Sequence, residues 1–326
     1  MIKHSVLIVT YNQEDYIEET ILSILNQTEL PYEIIILDDC SPDSNWDIIK
    51  KYQLQYPDLI KAYRNEVNLG LFPNMKKIRT LYTGNVVSYC SGDDLLEPDT
   101  IKAVNEKIKQ EGLDGENDRF IIVTNSVHLY PDGSRTVWNN YVERHINPIK
   151  TRLRYGLSYR SVGLSKGLLN ATISEQDYLD QNAEVGYSAD FFKGFEEVLN
   201  SQSIHYINVN GGVYRLNVGV TSAKADTKKW KGHQSTYIAV RDLYQQYFDK
   251  KDMLFIKFII AADEFKIQPN LKNWINAFYY YLMNLGNFSY NNPAIRNLHY
   301  LLPTAAIGWL KFKVYPAYLI LRNKFS

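Results

Sequence analysis

Ser5 to Thr10 reads SVLIVT, a run with almost no polar break; apolar runs return at Glu33 to Leu37 (EIIIL) and Val86 to Cys90 (VVSYC), with Leu59 to Tyr63 as a further strand between them. A strand with polar residues at alternate positions has one wet face. An unbroken apolar strand has none, so these runs need cover on both sides, as in a parallel sheet. Helical spacing fills the gaps between them. Ile17, Ile21, Ile24 and Leu25 form one stripe and Trp46, Ile49 and Leu54 another, followed by helices over Phe72 to Tyr82 and over 99 to 110, behind Pro98. Asn12 is the expected cap of the first helix, with Glu14 and Asp15 favourable near its positive end. This alternation predicts a layered α/β sheet, mainly parallel and flanked by helices.

Beyond residue 110 the rhythm changes. Phe120 to Asn125 (FIIVTN) reads as a strand, and the Pro131-Asp132-Gly133 turn leads into Ser134 to Trp138, which predicts an antiparallel pair and a mixed sheet. Residues 145 to 185 are polar, rich in Arg and Tyr and weakly patterned, as loops and short helices would be rather than a core. From about 235 the pattern is helical, through Ile238 to Phe248, Leu254 to Ala262 and Trp274 to Leu285. The expected division is therefore a mixed α/β domain at 1–227, with halves at 1–105 and 106–227, and a helical carboxyl-terminal region at 228–326. Apolar, aromatic and basic residues mix at 305–325, interrupted by Lys311, Lys313 and Pro316. That segment spans a bilayer poorly; a peripheral membrane contact competes there with simple packing or homo-oligomerisation.

Charge narrows the partners. Lys plus Arg equals Asp plus Glu at 36 each, so no global field draws in nucleic acid. Cys40 and Cys90 read as free thiols of a reducing compartment. Met1 leads directly into a strand without the pattern of a signal peptide, so the expected location is the cytoplasm, including the cytoplasmic face of the membrane.

Polar residues gather at three strand ends: Thr10-Tyr11-Asn12, Asp38-Asp39 and Ser91-Gly92-Asp93-Asp94. Carboxyl ends of parallel strands share one edge, where open α/β sheets bind ligands. Adjacent carboxylates there call for a counter-charge, which a divalent cation carrying a phosphorylated ligand supplies. No Gly-x-Gly-x-x-Gly turn follows the first strand, which disfavours a nicotinamide-dependent oxidoreductase. The Gly-rich basic loop of a sugar-phosphate nucleotidyltransferase is missing too.

Taken in order, TYN, LDDCSPD, NLG at 68–70 and SGDDLLEPD resemble the family 2 glycosyltransferases, whose GT-A fold is a Rossmann-like mixed sheet. The resemblance runs over about residues 3 to 222 and is strongest up to 105. It implies that Thr10 and Tyr11 line a base pocket, beside Asn12 in the nucleotide-sugar site, that Asp38 accepts a hydrogen bond from the base, typically uracil, and that Asp39 shapes the pocket at the ribose end. Asn68, Gly70 and Asn74 would meet the nucleotide sugar, and Ser91, Gly92 and Asp94 would border it. The family's usual Asp-x-Asp has Ser91 in its first place, which leaves Asp93 as the implied ligand of Mg²⁺ or Mn²⁺. Asp190, before Phe191, matches the position of the catalytic base, with Glu184, Asp177 and Glu175 as rivals. Tyr214-Arg215-Leu216-Asn217 is similar to the family's Tyr-Arg-x-His, which implies a diphosphate-bracing Arg215 and leaves a third metal contact at Asn217 in doubt.

The implied activity is metal-dependent, inverting transfer of a sugar from a nucleotide-diphosphate donor, a UDP-sugar, to a hydroxyl of a glycan or lipid-linked glycan, as in bacterial surface polysaccharide synthesis. The Ser91 and Asn217 departures keep a second reading open: a catalytically silent relative that binds a nucleotide sugar or a partner enzyme.

Overall fold

A computed structural model of the chain describes residues 1–138, 161–172, 189–218 and 227–284. The predicted alternation is present: β1 (His4–Thr10), α1 (Ile17–Leu25), β2 (Glu33–Asp38), α2 (Asn45–Gln55), β3 (Ile60–Arg64), α3 (Leu71–Ile78) and β4 (Val86–Ser91). There follow β5 (Leu95–Leu96), α4 (Thr100–Glu111), β6 (Phe120–Leu129), β7 (Arg135–Trp138), β8 (Ser161–Ser165), α5 (Lys166–Thr172), α6 (Ala189–Asn200) and β9 (Ser203–Arg215). One mixed sheet takes them in the order β3-β2-β1-β4-β8-β6-β9-β5, with β7 paired to β6. β1 runs parallel to β2 and β4, and β2 to β3; β8 is antiparallel to both β4 and β6.

Both faces of the central strands β1 and β2 are buried, as their unbroken runs require. Val6 and Ile8 of β1 and Ile34 and Ile36 of β2 pack with Ile17, Ile21, Ile24, Ile49, Ile101 and Val104 of α1, α2 and α4. The alternate residues Leu7, Val9, Ile35 and Leu37 face the other way, onto Ile78, Leu168 and Leu169 of α3 and α5. Each of these aliphatic side chains contributes roughly 1.5–3 kcal/mol by leaving water.

Four expectations are corrected. Asn12 does not cap α1: it takes a left-handed φ of 55° and donates its N–H to Ser41 Oγ at 2.9 Å, while the helix opens after Tyr16. Glu18 and Glu19, not Glu14 and Asp15, occupy its first turn. Leu54 of α2 is exposed, and Tyr52 takes the buried position beside Ile49. Within 145–185, residues 161–172 are core: Leu164 lies between Val87 of β4 and Ile121 of β6, and Leu168 and Leu169 are buried beneath it. Glu175, Asp177, Glu184 and the 305–325 segment lie outside the described residues.

The described residues fall into two compact units, the first extending to residue 218 and the second comprising 227–284. The second unit contains α7 (Thr227–Tyr244), α8 (Lys250–Ile267) and α9 (Leu271–Met283). Asp249 and Asp252 form a reciprocal capping box at the start of α8. Phe258, Ala261, Ala262 and Phe265 of α8 meet Ala277, Trp274 and Tyr281 of α9. Buried Asp263 is held by His233 of α7 at 2.5 Å and Lys266 at 2.9 Å. Among the described residues no helix is long and apolar enough to cross a membrane.

Candidate functional site

The first four strand ends continue the sheet's hydrogen bonding into their loops. Asp39 N–H donates to Thr10 O at 3.0 Å, Gly92 N–H to Val9 O at 3.0 Å and Asn65 N–H to Asp38 O at 2.8 Å, so the polar loops after β1, β2, β3 and β4 are fixed side by side.

Asp38 is fully buried. One carboxylate oxygen accepts from Ser41 Oγ at 2.5 Å and Asn45 Nδ2 at 2.7 Å, and the other from Ser41 N–H at 3.0 Å and Arg64 Nε at 3.2 Å. A carboxylate offers about four lone-pair sites, and all four are engaged here. Arg64 also donates to Ser41 O at 2.7 Å and lies 5.8 Å from the centre of the Trp46 ring. Asp38 thereby holds the Ser41–Asn45 turn, and Asn45 in turn reaches Thr10 Oγ at 3.2 Å.

Asp39, also buried, anchors the loop before α3. Its Oδ1 accepts from Asn65 Nδ2 at 2.7 Å and Leu69 N–H at 2.9 Å, and its Oδ2 from Gly70 N–H at 2.8 Å. Asn65 continues to Asn74 Oδ1 at 2.9 Å and receives Lys77 Nζ at 2.7 Å. Asn68 Oδ1 shares the Gly70 N–H at 2.9 Å. Gly70 has φ 85° and ψ 166°, a conformation glycine reaches without strain, and among the described residues, its two chain neighbours aside, no atom stands within 4 Å of where its Cβ would be. Asp38 thus holds the turn before α2 and Asp39 the loop before α3. Cys40, between them, takes a left-handed φ of 61°.

The turn after β4 is equally constrained. Thr20 Oγ of α1 lies 2.9 Å from Gly92 O and 2.8 Å from Asp94 O, and Asp94 N–H donates to Ser91 O at 3.0 Å. A Cβ on Gly92 would stand 2.5 Å from Thr10 Oγ1 and 2.5 Å from Gln13 Oε1, so only glycine lets β4's turn lie this close to β1's. Ser91 is exposed and Asp93 half-buried; Asp94 is buried. β9 delivers the next partner: the pairing Leu95↔Val213 and Leu96↔Gly212 sets Arg215 N–H 3.1 Å from Asp94 Oδ1. The Arg215 guanidinium pairs with Glu19 and lies 5.4 Å from the centre of the Tyr16 ring. Tyr11 is exposed at the rim.

Gly70, Asp39, Thr10, Gly92, Asp94 and Arg215 thus form a continuous chain of contacts along one edge. Gln13, Thr20, Ser41, Asn45, Arg64 and Asn65 complete it and were absent from the sequence-based site; only Ser41, three residues after Asp38 and placed for a side-chain-to-backbone turn, carried a local signal. Asp190 opens α6 by its backbone, and its side chain lies outside the described residues. Among the described residues no three His, Cys, Asp or Glu side chains cluster as a self-sufficient metal site. A half-buried Asp93 beside an exposed Ser91 fits a different arrangement, in which one carboxylate joins phosphate oxygens and water around a hard cation.

A mainly parallel sheet with helices on both faces, an antiparallel strand inserted at β8 and acids at the carboxyl edge define the GT-A class of α/β proteins. The model of the family described as "Glycosyl transferase family 2" matches residues 5–169, and the chain belongs to that family. An uncharacterized protein of Mycobacterium tuberculosis is 37% identical over 91 residues, 28% of this chain and 26% of its own. EpsE of Bacillus subtilis, named as a candidate glycosyltransferase, is 36% identical over 96 residues, 29% of this chain and 34% of its own. The chain therefore spans about a quarter to a third of the length of these curated relatives. The crystal structure of Staphylococcus aureus TarS in complex with UDP-GlcNAc shares the fold at TM-score 0.53 and 16% identity, over 86% of this chain and 79% of that one.

Proposed function

We propose that this protein transfers one sugar from a nucleotide-diphosphate donor, a UDP-sugar, to a hydroxyl of a glycan or lipid-linked glycan in the synthesis of a cell-surface polysaccharide, with inversion at the anomeric carbon. The observation that carries the reading is the unbroken contact chain from Gly70 to Arg215 along the sheet's carboxyl edge, where Thr10, Asp39 and Asp94 meet. The shared fold of TarS, solved with UDP-GlcNAc, supports a uridine nucleotide as the first donor to try.

In this reading Thr10, Tyr11 and Asn12 border the base. Asp38 acts through Ser41, Asn45 and Arg64, and Asp39 presents the Asn68–Gly70 loop to the nucleotide sugar, with Asn74 bracing that loop through Asn65. Asp93 would hold Mg²⁺ or Mn²⁺, which when bound stabilises the charge left on the departing diphosphate. Ser91 and Gly92 keep that approach open, while Asp94 fixes Arg215 at its side. Asp190 takes the proton of the acceptor hydroxyl as its oxygen bonds to the anomeric carbon and the bond from that carbon to the diphosphate oxygen breaks.

Calorimetric titration of UDP, with and without Mn²⁺, tests the nucleotide site. Binding that is strengthened by Mn²⁺, and that loses this strengthening in Asp93→Ala, is expected. Failure of UDP, GDP and dTDP to bind under every condition would overturn the donor assignment. Replacing Asp190 with Ala should lower turnover by about 10²–10⁴-fold while leaving UDP affinity unchanged; an unaltered rate would remove Asp190 from the mechanism.

A further inference from the structure

We infer that the outward face of α9 is a docking surface for an anionic lipid membrane. One side of this helix is already used: Trp274, Ala277 and Tyr281 pack against α8. The opposite side carries Leu271, Ile275, Tyr279, Leu282 and Met283, all exposed. At 100° per residue these five side chains fall within an arc of about 120°. Lys272 is the only charged residue in the helix, and it lies on the same exposed arc. A helix apolar on both sides needs a second apolar phase as well as the core it packs on.

Charge along the sequence selects that phase. All 36 acidic residues precede residue 265, together with 29 of the 36 basic ones, so the first 264 residues carry a net charge of −7 and the last 62 a net charge of +7. The overall neutrality of the chain conceals this segregation. An exposed stripe of Leu, Ile and Tyr that carries Lys272 and lies in an acid-free stretch of the sequence matches what a negatively charged lipid surface attracts: apolar side chains enter the acyl boundary, Tyr sits at the headgroups, and Lys272 meets the phosphates. A second copy of the same helix would offer the same positive sign and no complementary charge.

Flotation of the full chain with phosphatidylglycerol vesicles and with phosphatidylcholine vesicles tests this surface. Binding to the anionic vesicles that weakens with salt is expected, and Ile275→Asp with Tyr279→Asp should lower the bound fraction at least about fivefold. Lys272→Glu, which leaves the apolar stripe intact, should weaken binding to anionic vesicles alone. Circular dichroism of each variant establishes that it is folded. Equal flotation of a folded double variant, or absence of flotation accompanied by a dimer that the double variant dissociates in sedimentation, would overturn the proposal. Neither result bears on UDP binding, so the donor site stands or falls separately.

Discussion

Single side chains at this edge do more holding than their position in the sequence suggests. Asp39 is the clearest case, because one carboxylate fixes two backbone N–H groups and an amide from a loop about 30 residues on. Asp39→Ala should cost about 2–3 kcal/mol, since buried donors lose a charged acceptor, and should weaken UDP binding through the displaced Asn68–Gly70 loop. Differential scanning calorimetry and the UDP titration measure the two effects; full affinity in a folded variant would separate the loop from the nucleotide site. Gly92→Ala should be destabilising by about 1–3 kcal/mol, because Thr10 and Gln13 have to move from contacts of 2.5 Å. Thermal unfolding checks this directly, and an unchanged midpoint would mean that the turn after β4 yields easily. The strand-end location of Thr10, Asp38 and Asp93 was legible in the sequence, because a buried strand ends where polar residues begin. The saturation of Asp38 and the anchoring of a loop by Asp39 were not, since Arg64, Asn65 and Leu69 meet them only after two further elements have folded.

Among the elements, β1, β2 and β4 could be read because each is a mainly apolar run bounded by polar turns, and β3, half-exposed at the sheet's edge, because it falls in the same alternation with the helices. β8 could not: SVGLS is five residues with a central glycine and two serines, and its place between β4 and β6 comes from its neighbours rather than its own pattern. β5 has two residues and exists only through its pairing with β9. α3 stops at Ile78, short of the expected Tyr82. His4 joins β1 to β4 and α4: its Nδ1 donates to Asn105 Oδ1 at 2.9 Å, as Asn105 Nδ2 is engaged by Glu29, and its Nε2 accepts from Ser88 Oγ at 2.7 Å. Burial lowers its pKa to about 4, against the pull of Asn105 and Glu29. The unfolded chain takes up this proton near pH 6.5 and the folded one only near 4, so the protein should lose stability as pH falls through that window, by up to about 3 kcal/mol. Unfolding midpoints measured from pH 7 to pH 4 should fall less in His4→Gln than in the parent, and parallel curves would exclude this histidine as the source.

For the whole molecule, the mixed sheet means that the first four strands and the later ones share a single hydrogen-bonded layer. A fragment ending at residue 138 would lack β8 and β9 and leave the open edges of β4 and β6 facing solvent. Such a fragment should associate rather than remain monomeric, and sedimentation velocity would show it; a stable monomer would mean that the first four strands form a folding unit of their own. The family match, which ends at residue 169 inside α5, spans β8 but not β9.

The place of β8 also sets a schedule. About 70 residues separate the end of β4 at Ser91 from the start of β8 at Ser161. At roughly 5–20 residues per second a ribosome needs about 4–14 s to cross that distance, so the nascent parallel core waits with β4's outer edge uncovered for far longer than a hairpin takes to close.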